Sequence, residues 1–151
     1  MLREAFTERL KDAMRARDSR TVSAVRLIIA GLKDRDIAAR GTGNTAGIDD
    51  SDILRLLQGM VKQRRESIEM YRHGNRPELA EKEEAEIAVI ESFLPQQMSE
   101  AEVMAAAKGA ITETGAAGVK DMGKVMGVLR ERHAGVIDMA KAGAVVKQLL
   151  G

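Results

Sequence analysis

Cysteine and tryptophan are absent from this 151-residue chain, and the aromatic side chains amount to two phenylalanines and one tyrosine. Without cysteine there is no disulfide framework, no thiolate nucleophile and no cysteine-bound zinc. That absence fits a reducing compartment, and a cytoplasmic location is the expectation. Aromatic poverty argues against a β-sandwich or barrel, whose strands draw on aromatic and β-branched residues. No apolar run approaches the roughly 20 residues of a membrane-spanning helix, so no membrane partner is expected. The start, Met1-Leu2-Arg3-Glu4, opens into an amphipathic pattern with no apolar signal core. The formal net charge of +1 offers no global attraction to polyanions, so any nucleic-acid role needs a local patch.

What is present favours helix. Alanine, leucine, methionine, glutamate, lysine and arginine dominate, and apolar residues recur at helical spacing throughout. The expected fold is all-α. Leu2, Phe6, Leu10 and Ala13/Met14 mark a first helix to about Arg17. Asp18 and Ser19 cap a second, whose face is Val22, Val25, Ile28/Ile29 and Leu32, stopping at Gly41. After a Gly-rich loop, a third runs from about Ser51 to Arg72, on Ile53/Leu54, Leu57, Met60/Val61, Ile68 and Tyr71. Pro77 suits the first turn of a fourth, lined by Leu79, Ile87, Ile90 and Phe93/Leu94 and stopped by Pro95. The polar connector Leu94–Ser99 marks a boundary between a subdomain of residues 1–94 and a tail of residues 95–151. In the tail, Ser99 and Glu102 form a capping-box pattern for a fifth helix. A sixth spans about Val119–His133 and a seventh about Asp138–Leu150, the last burying Met139, Val145/Val146 and Leu149. Most of the nine methionines are expected to fill core.

Charge is unevenly distributed. Arg55, Lys62, Arg64, Arg65, Arg72 and Arg76 face only Glu66 and Glu69 along the third helix, while the fourth carries Glu78, Glu81, Glu83, Glu84, Glu86 and Glu91 against Lys82. In an antiparallel hairpin these arrays neutralise each other. The alternative is an exposed anion patch at Arg64, Arg65 and Arg72. No catalytic constellation emerges. His73 and His133 each fall at a helix C-terminus, where a cation suits the dipole. The serines lack a nucleophile elbow, no phosphate loop is present, and neither a metal site nor a cofactor is indicated. Gly115 to Gly118 precedes a helix and could hold an anion at its N-terminus, although a plain loop is the simpler reading.

The most specific stretch is Lys120-Asp121-Met122-Gly123-Lys124-Val125-Met126-Gly127. Gly123 and Gly127, Met122 and Met126, and Lys120 and Lys124 each repeat at i, i+4, which a helix turns into stripes. Each interior glycine costs about 1 kcal/mol against alanine. Close approach of a neighbouring helix is one reason to accept it, and close approach of a nucleic-acid backbone is another.

Together with Glu91-Ser92-Phe93-Leu94-Pro95-Gln96-Gln97-Met98-Ser99-Glu100, Gly115 and the closing Val145–Leu150, that stretch resembles the GatB/YqeY family. Arg26-Leu27-Ile28 and Met60–Ile68 are similar to the stand-alone YqeY-like members, and the resemblance covers nearly the whole chain. It implies an N-terminal helical subdomain and a three-helix tail. In larger relatives the tail belongs to the GatB subunit of the aspartyl/glutamyl-tRNA amidotransferase and contacts tRNA away from the catalytic centre. It also implies the family label of a carbon–nitrogen ligase with glutamine as amido-N-donor, for which this chain holds no visible machinery. The chain departs from the tail pattern at Gly135-Val136-Ile137, where many relatives place a basic residue after the glycine. The leading expectation is a non-catalytic tRNA- or RNA-associated module using Lys120, Lys124, Lys108, Arg130 and Arg132, with Gly123 and Gly127 admitting the backbone. A protein–protein interaction module, or an accessory factor of a glutamine-dependent ligase, is the alternative.

Overall fold

Four helices, α1 (Leu2–Arg15), α2 (Ser19–Gly41), α3 (Asp50–His73) and α4 (Pro77–Glu91), build the first of two units in the computed structural model, which describes residues 1–151. Three more, α5 (Glu100–Thr114), α6 (Met122–Arg132) and α7 (Met139–Leu150), build the second. The units divide as Met1–Leu94 and Pro95–Gly151. There is no strand, and the fold is all-α.

In the first unit, α1 ends two residues before the apolar pattern suggested, because Arg17 takes a left-handed conformation (φ 56°). Asp18 then caps α2. Its carboxylate accepts from the Thr21 amide (3.2 Å) and the Thr21 hydroxyl (2.6 Å), an arrangement that contributes about 1 kcal/mol. These bonds hold the Asp18 carboxyl below its ordinary pKa. Asp49 caps α3 by accepting from the Asp52 amide at 2.9 Å, and Pro77 opens α4. Phe6, Val25, Ile28, Ile53, Leu57 and Ile90 are essentially fully buried together. Burying a side chain of that size contributes about 1.5–3 kcal/mol. α4 stops at Glu91, short of the expected Phe93/Leu94, yet Phe93 still packs on the core with its ring edge-on to Phe6 (4.9 Å, 84°). Met14 is exposed; Ala13 takes the buried position beside it.

In the second unit the capping box forms. Ser99 Oγ accepts from the Glu102 amide (3.2 Å), and the Glu102 carboxylate accepts from the Ser99 amide (3.4 Å). Gly115, at φ 67°, closes α5 in the left-handed conformation that suits glycine. α5, α6 and α7 enclose Val103, Ala107, Ala110, Val125, Leu129, Ile137, Ala142 and Val146. Three alanines in that core bring the helix backbones close. Leu149, expected inside, is 38% exposed on the last turn of α7.

Candidate nucleic-acid interface

The expected single helix from Val119 to His133 is divided. Val119–Asp121 forms a turn of 3₁₀ helix, and α6 begins at Met122. Lys120 therefore stands on the turn and does not continue the α-helical row of Lys124. Val125 and Leu129 point into the core, and Met122 and Met126 are half-buried beside them. That orientation leaves Gly123, Lys124, Gly127 and Arg130 exposed along the outer side of α6.

The two glycines are open. A Cβ built on Gly123 or Gly127 meets no atom within 4 Å, so no helix of this unit needs the space. The expectation that a neighbouring helix explains them fails at these positions. The glycine between packed helices is Gly143 on α7. A Cβ there would lie 3.7 Å from the terminal methyls of both Met122 and Met126. The methionine stripe is thus a packing stripe against α7, as a core role requires.

Most carboxylates of this unit are engaged in the fold. Glu102 and Asp138 cap α5 and α7, Asp121 accepts from the Ala117 amide at 3.0 Å, and Glu113 pairs with Arg132. Arg132 is accordingly drawn off to α5, and the pairing raises its pKa. Lys108, Lys120, Lys124 and Arg130 are exposed and have no carboxylate within ion-pair distance. Lys108 lies apart in sequence, on α5. Lys141 and Lys147 on α7 are equally exposed and unpaired, and no motif in the sequence singles them out.

One alternative falls away and one candidate patch is corrected. Gly115 to Gly118 is not an anion cradle: Gly115 serves as the α5 cap, α6 begins only at Met122, and the Asp121 carboxylate already occupies the Ala117 amide. The patch at Arg64, Arg65 and Arg72 is not a free anion surface. Arg64 Nε donates to Glu86 at 2.9 Å and lies 3.8 Å from Glu83, Arg65 pairs with Glu91 at 2.6 Å, and Arg72 pairs with Glu84. The two helices run antiparallel, so their opposite arrays meet. An open depression of about 380 Å³ beside them is lined by Gln63, Arg64, Glu66, Ser67, Met70 and Glu83. Its arginine is committed to the hairpin. His73 is the last residue of α3, and His133 follows α6 directly. No group of three or more His, Asp or Glu side chains gathers to hold a metal ion.

The loop that departs from the tail pattern is tied into the fold. Gly135 is buried at φ 78°, its carbonyl accepts from Gln97 Nε2 (2.8 Å), the Val136 carbonyl accepts from the Met98 amide (2.9 Å), and Ile137 is 2% exposed. Val136, through its carbonyl, and Ile137, through its buried side chain, hold the loop against the unit.

With this arrangement in view, the family model of the YqeY-like proteins matches residues 3–150. The chain belongs to the YqeY-like family. A relative from Lachancea thermotolerans, altered inheritance of mitochondria protein 41, is 35% identical over 106 residues, covering 69% of this chain and 54% of that protein. An uncharacterized protein of Schizosaccharomyces pombe is 29% identical over 98 residues, covering 65% of this chain and 76% of its own length. The Saccharomyces cerevisiae altered inheritance of mitochondria protein 41 is 28% identical over 87 residues, covering 58% of this chain. The matched stretch spans about half the length of the two mitochondrial relatives (54% and 45%). The cytoplasmic expectation is overturned by these names: the relatives point to the mitochondrion, and lack of cysteine does not distinguish the two compartments. No helix is long and apolar enough to cross a membrane.

Proposed function

We propose that the second unit of this YqeY-like protein is a non-catalytic module that associates with tRNA, or with another structured RNA, through its phosphates. The observation that carries the reading is the outer side of α6. Gly123 and Gly127 are open and exposed there, beside Lys124 and Arg130 with no carboxylate partner and one turn after Lys120. Phosphate contacts need exposed cations and surface smooth enough for a backbone to approach, and they need no catalytic group. Having no aromatic side chain, this unit reads RNA by shape and charge, not by base stacking. The resemblance to the tail of the GatB subunit of the amidotransferase supports tRNA as the first RNA to try.

Mobility shift with bulk tRNA at low salt tests the proposal. Weak binding that falls steeply with salt, and falls again in Lys120→Ala/Lys124→Ala, is expected. Absence of binding, or binding indifferent to those lysines, rejects it. A single stable protein partner recovered without RNA would favour an interaction module instead.

A further inference from the structure

The outer face of α2 has no partner within the first unit. Leu27 is 44% exposed and Ile37 64% exposed, although the opposite face of the same helix, Val25, Ile28 and Leu32, is buried. At 3.6 residues per turn, Leu27, Ala30, Asp34 and Ile37 fall within about 80° of one another. Arg26 and Lys33 lie along one edge. All six are exposed, and Arg26, Lys33 and Asp34 have no ion-pair partner.

We propose that this face is the interface of a homodimer, in which α2 packs antiparallel on α2 of a second copy around a two-fold axis on the exposed side of the helix, midway between Leu27 and Ile37. The face is self-complementary. Leu27 and Ile37 are ten residues apart, about 15 Å along the helix. Antiparallel pairing therefore sets Leu27 of each copy toward Ile37 of the other, and does so twice. Small Ala30 near the axis lets the helices approach. Asp34, the lone carboxylate of the face, is carried toward Lys33 and Arg26 of the second copy, which supply the charge it lacks at home. An isologous contact has this reciprocity. Asp34 also weighs against a lipid surface, which would have to bury it among the apolar side chains. A single helix pair is a small contact, so the dimer is a weak one that forms at high concentration.

Sedimentation equilibrium of the full chain over a wide concentration range tests this. A reversible monomer–dimer equilibrium is expected. Ile37→Glu and Asp34→Arg should each raise the dissociation constant by about tenfold or more. Combining Asp34→Arg with Arg26→Asp and Lys33→Asp should restore it to within about threefold, since the charges are exchanged across the same contact. Circular dichroism should show an unchanged helical fold, because every altered side chain is exposed. A chain that stays monomeric throughout overturns the proposal, as does a dimer indifferent to Ile37→Glu and Asp34→Arg. So does a face that instead mediates binding of tRNA or of phosphatidylglycerol-containing vesicles, sensitive to Ile37→Glu.

Discussion

Arg3 and Asp36 form a two-pronged ion pair, Nη1 to Oδ2 at 2.7 Å and Nη2 to Oδ1 at 2.8 Å. The pair joins the first turn of α1 to the last part of α2. Arg3 Nη2 also donates to the Ile48 carbonyl (2.8 Å), and the Ile48 amide donates to Asp36 (3.0 Å), so the loop into α3 is fastened too. The Arg3 guanidinium, helped by the Ile48 amide, lowers the Asp36 pKa to about 2. Because the folded value lies below the unfolded one, the contribution is complete above about pH 4 and is lost as pH falls toward 2. Asp36→Asn should destabilise the first unit by about 1 kcal/mol at pH 7. Urea denaturation across pH should show that gap closing between pH ~4 and ~2. A gap constant with pH would remove the ion pair from the explanation.

Gly47 packs against the same pair. It sits at φ 92°, and a Cβ there would lie 2.7 Å from Arg3 Nη2 and 2.8 Å from Asp36 Oδ1. Gly47→Ala is expected to cost about 1–3 kcal/mol, from backbone strain and the displaced ion pair. Gly123 and Gly127 predict the opposite sign. They lie in a helix with open space outside, so Gly123→Ala and Gly127→Ala should each raise stability by roughly 0.5–1 kcal/mol. If RNA lies on α6, the same substitutions weaken its binding. Thermal melts beside mobility shifts separate the two effects, and gains in both would strip the glycines of an interface role.

The α3–α4 hairpin makes a different prediction. The side chains of Arg64 and Glu86 are only 13% and 14% exposed, unlike Arg65 and Arg72. Arg64→Ala leaves Glu86 and Glu83 partly buried beside each other, and should destabilise by about 2 kcal/mol. Arg65→Ala and Arg72→Ala should cost less than about 1 kcal/mol each. None of the three should change RNA affinity more than about twofold, since their charge is spent on α4. A large loss of RNA binding in Arg65→Ala/Arg72→Ala would reinstate that patch.

The helices were legible because their signals are local. Asp18, Ser99/Glu102, Pro77 and Gly115 punctuate the chain by capping and turn chemistry acting within four residues. The hairpin charges were legible as two opposite arrays awaiting a partner. What periodicity could not resolve was which face of α6 turns inward. Gly123/Gly127, Met122/Met126 and Lys120/Lys124 repeat identically, and only packing against α7 distinguishes them. Gly143, which receives both methionine methyls, has no sequence signal of its own. The 3₁₀ turn at Val119–Asp121 escaped for the same reason, since its residues fit an α-helical pattern equally well.

Ile137 anchors the loop between α6 and α7 to the core of the second unit. It lies outside any helix, at 2% exposure, in the loop held by Gln97 and Met98, and it completes the core of Val125, Leu129 and Val146. Ile137→Ala should therefore behave as a core truncation and cost about 2–5 kcal/mol, comparable to Leu129→Ala on α6. Ile137→Lys buries a charge among aliphatic side chains and should be worse than alanine. Chemical denaturation of each variant checks the order. If the Lys variant were as stable as the parent and bound RNA more tightly, the loop would be a vacant phosphate contact and not a core element.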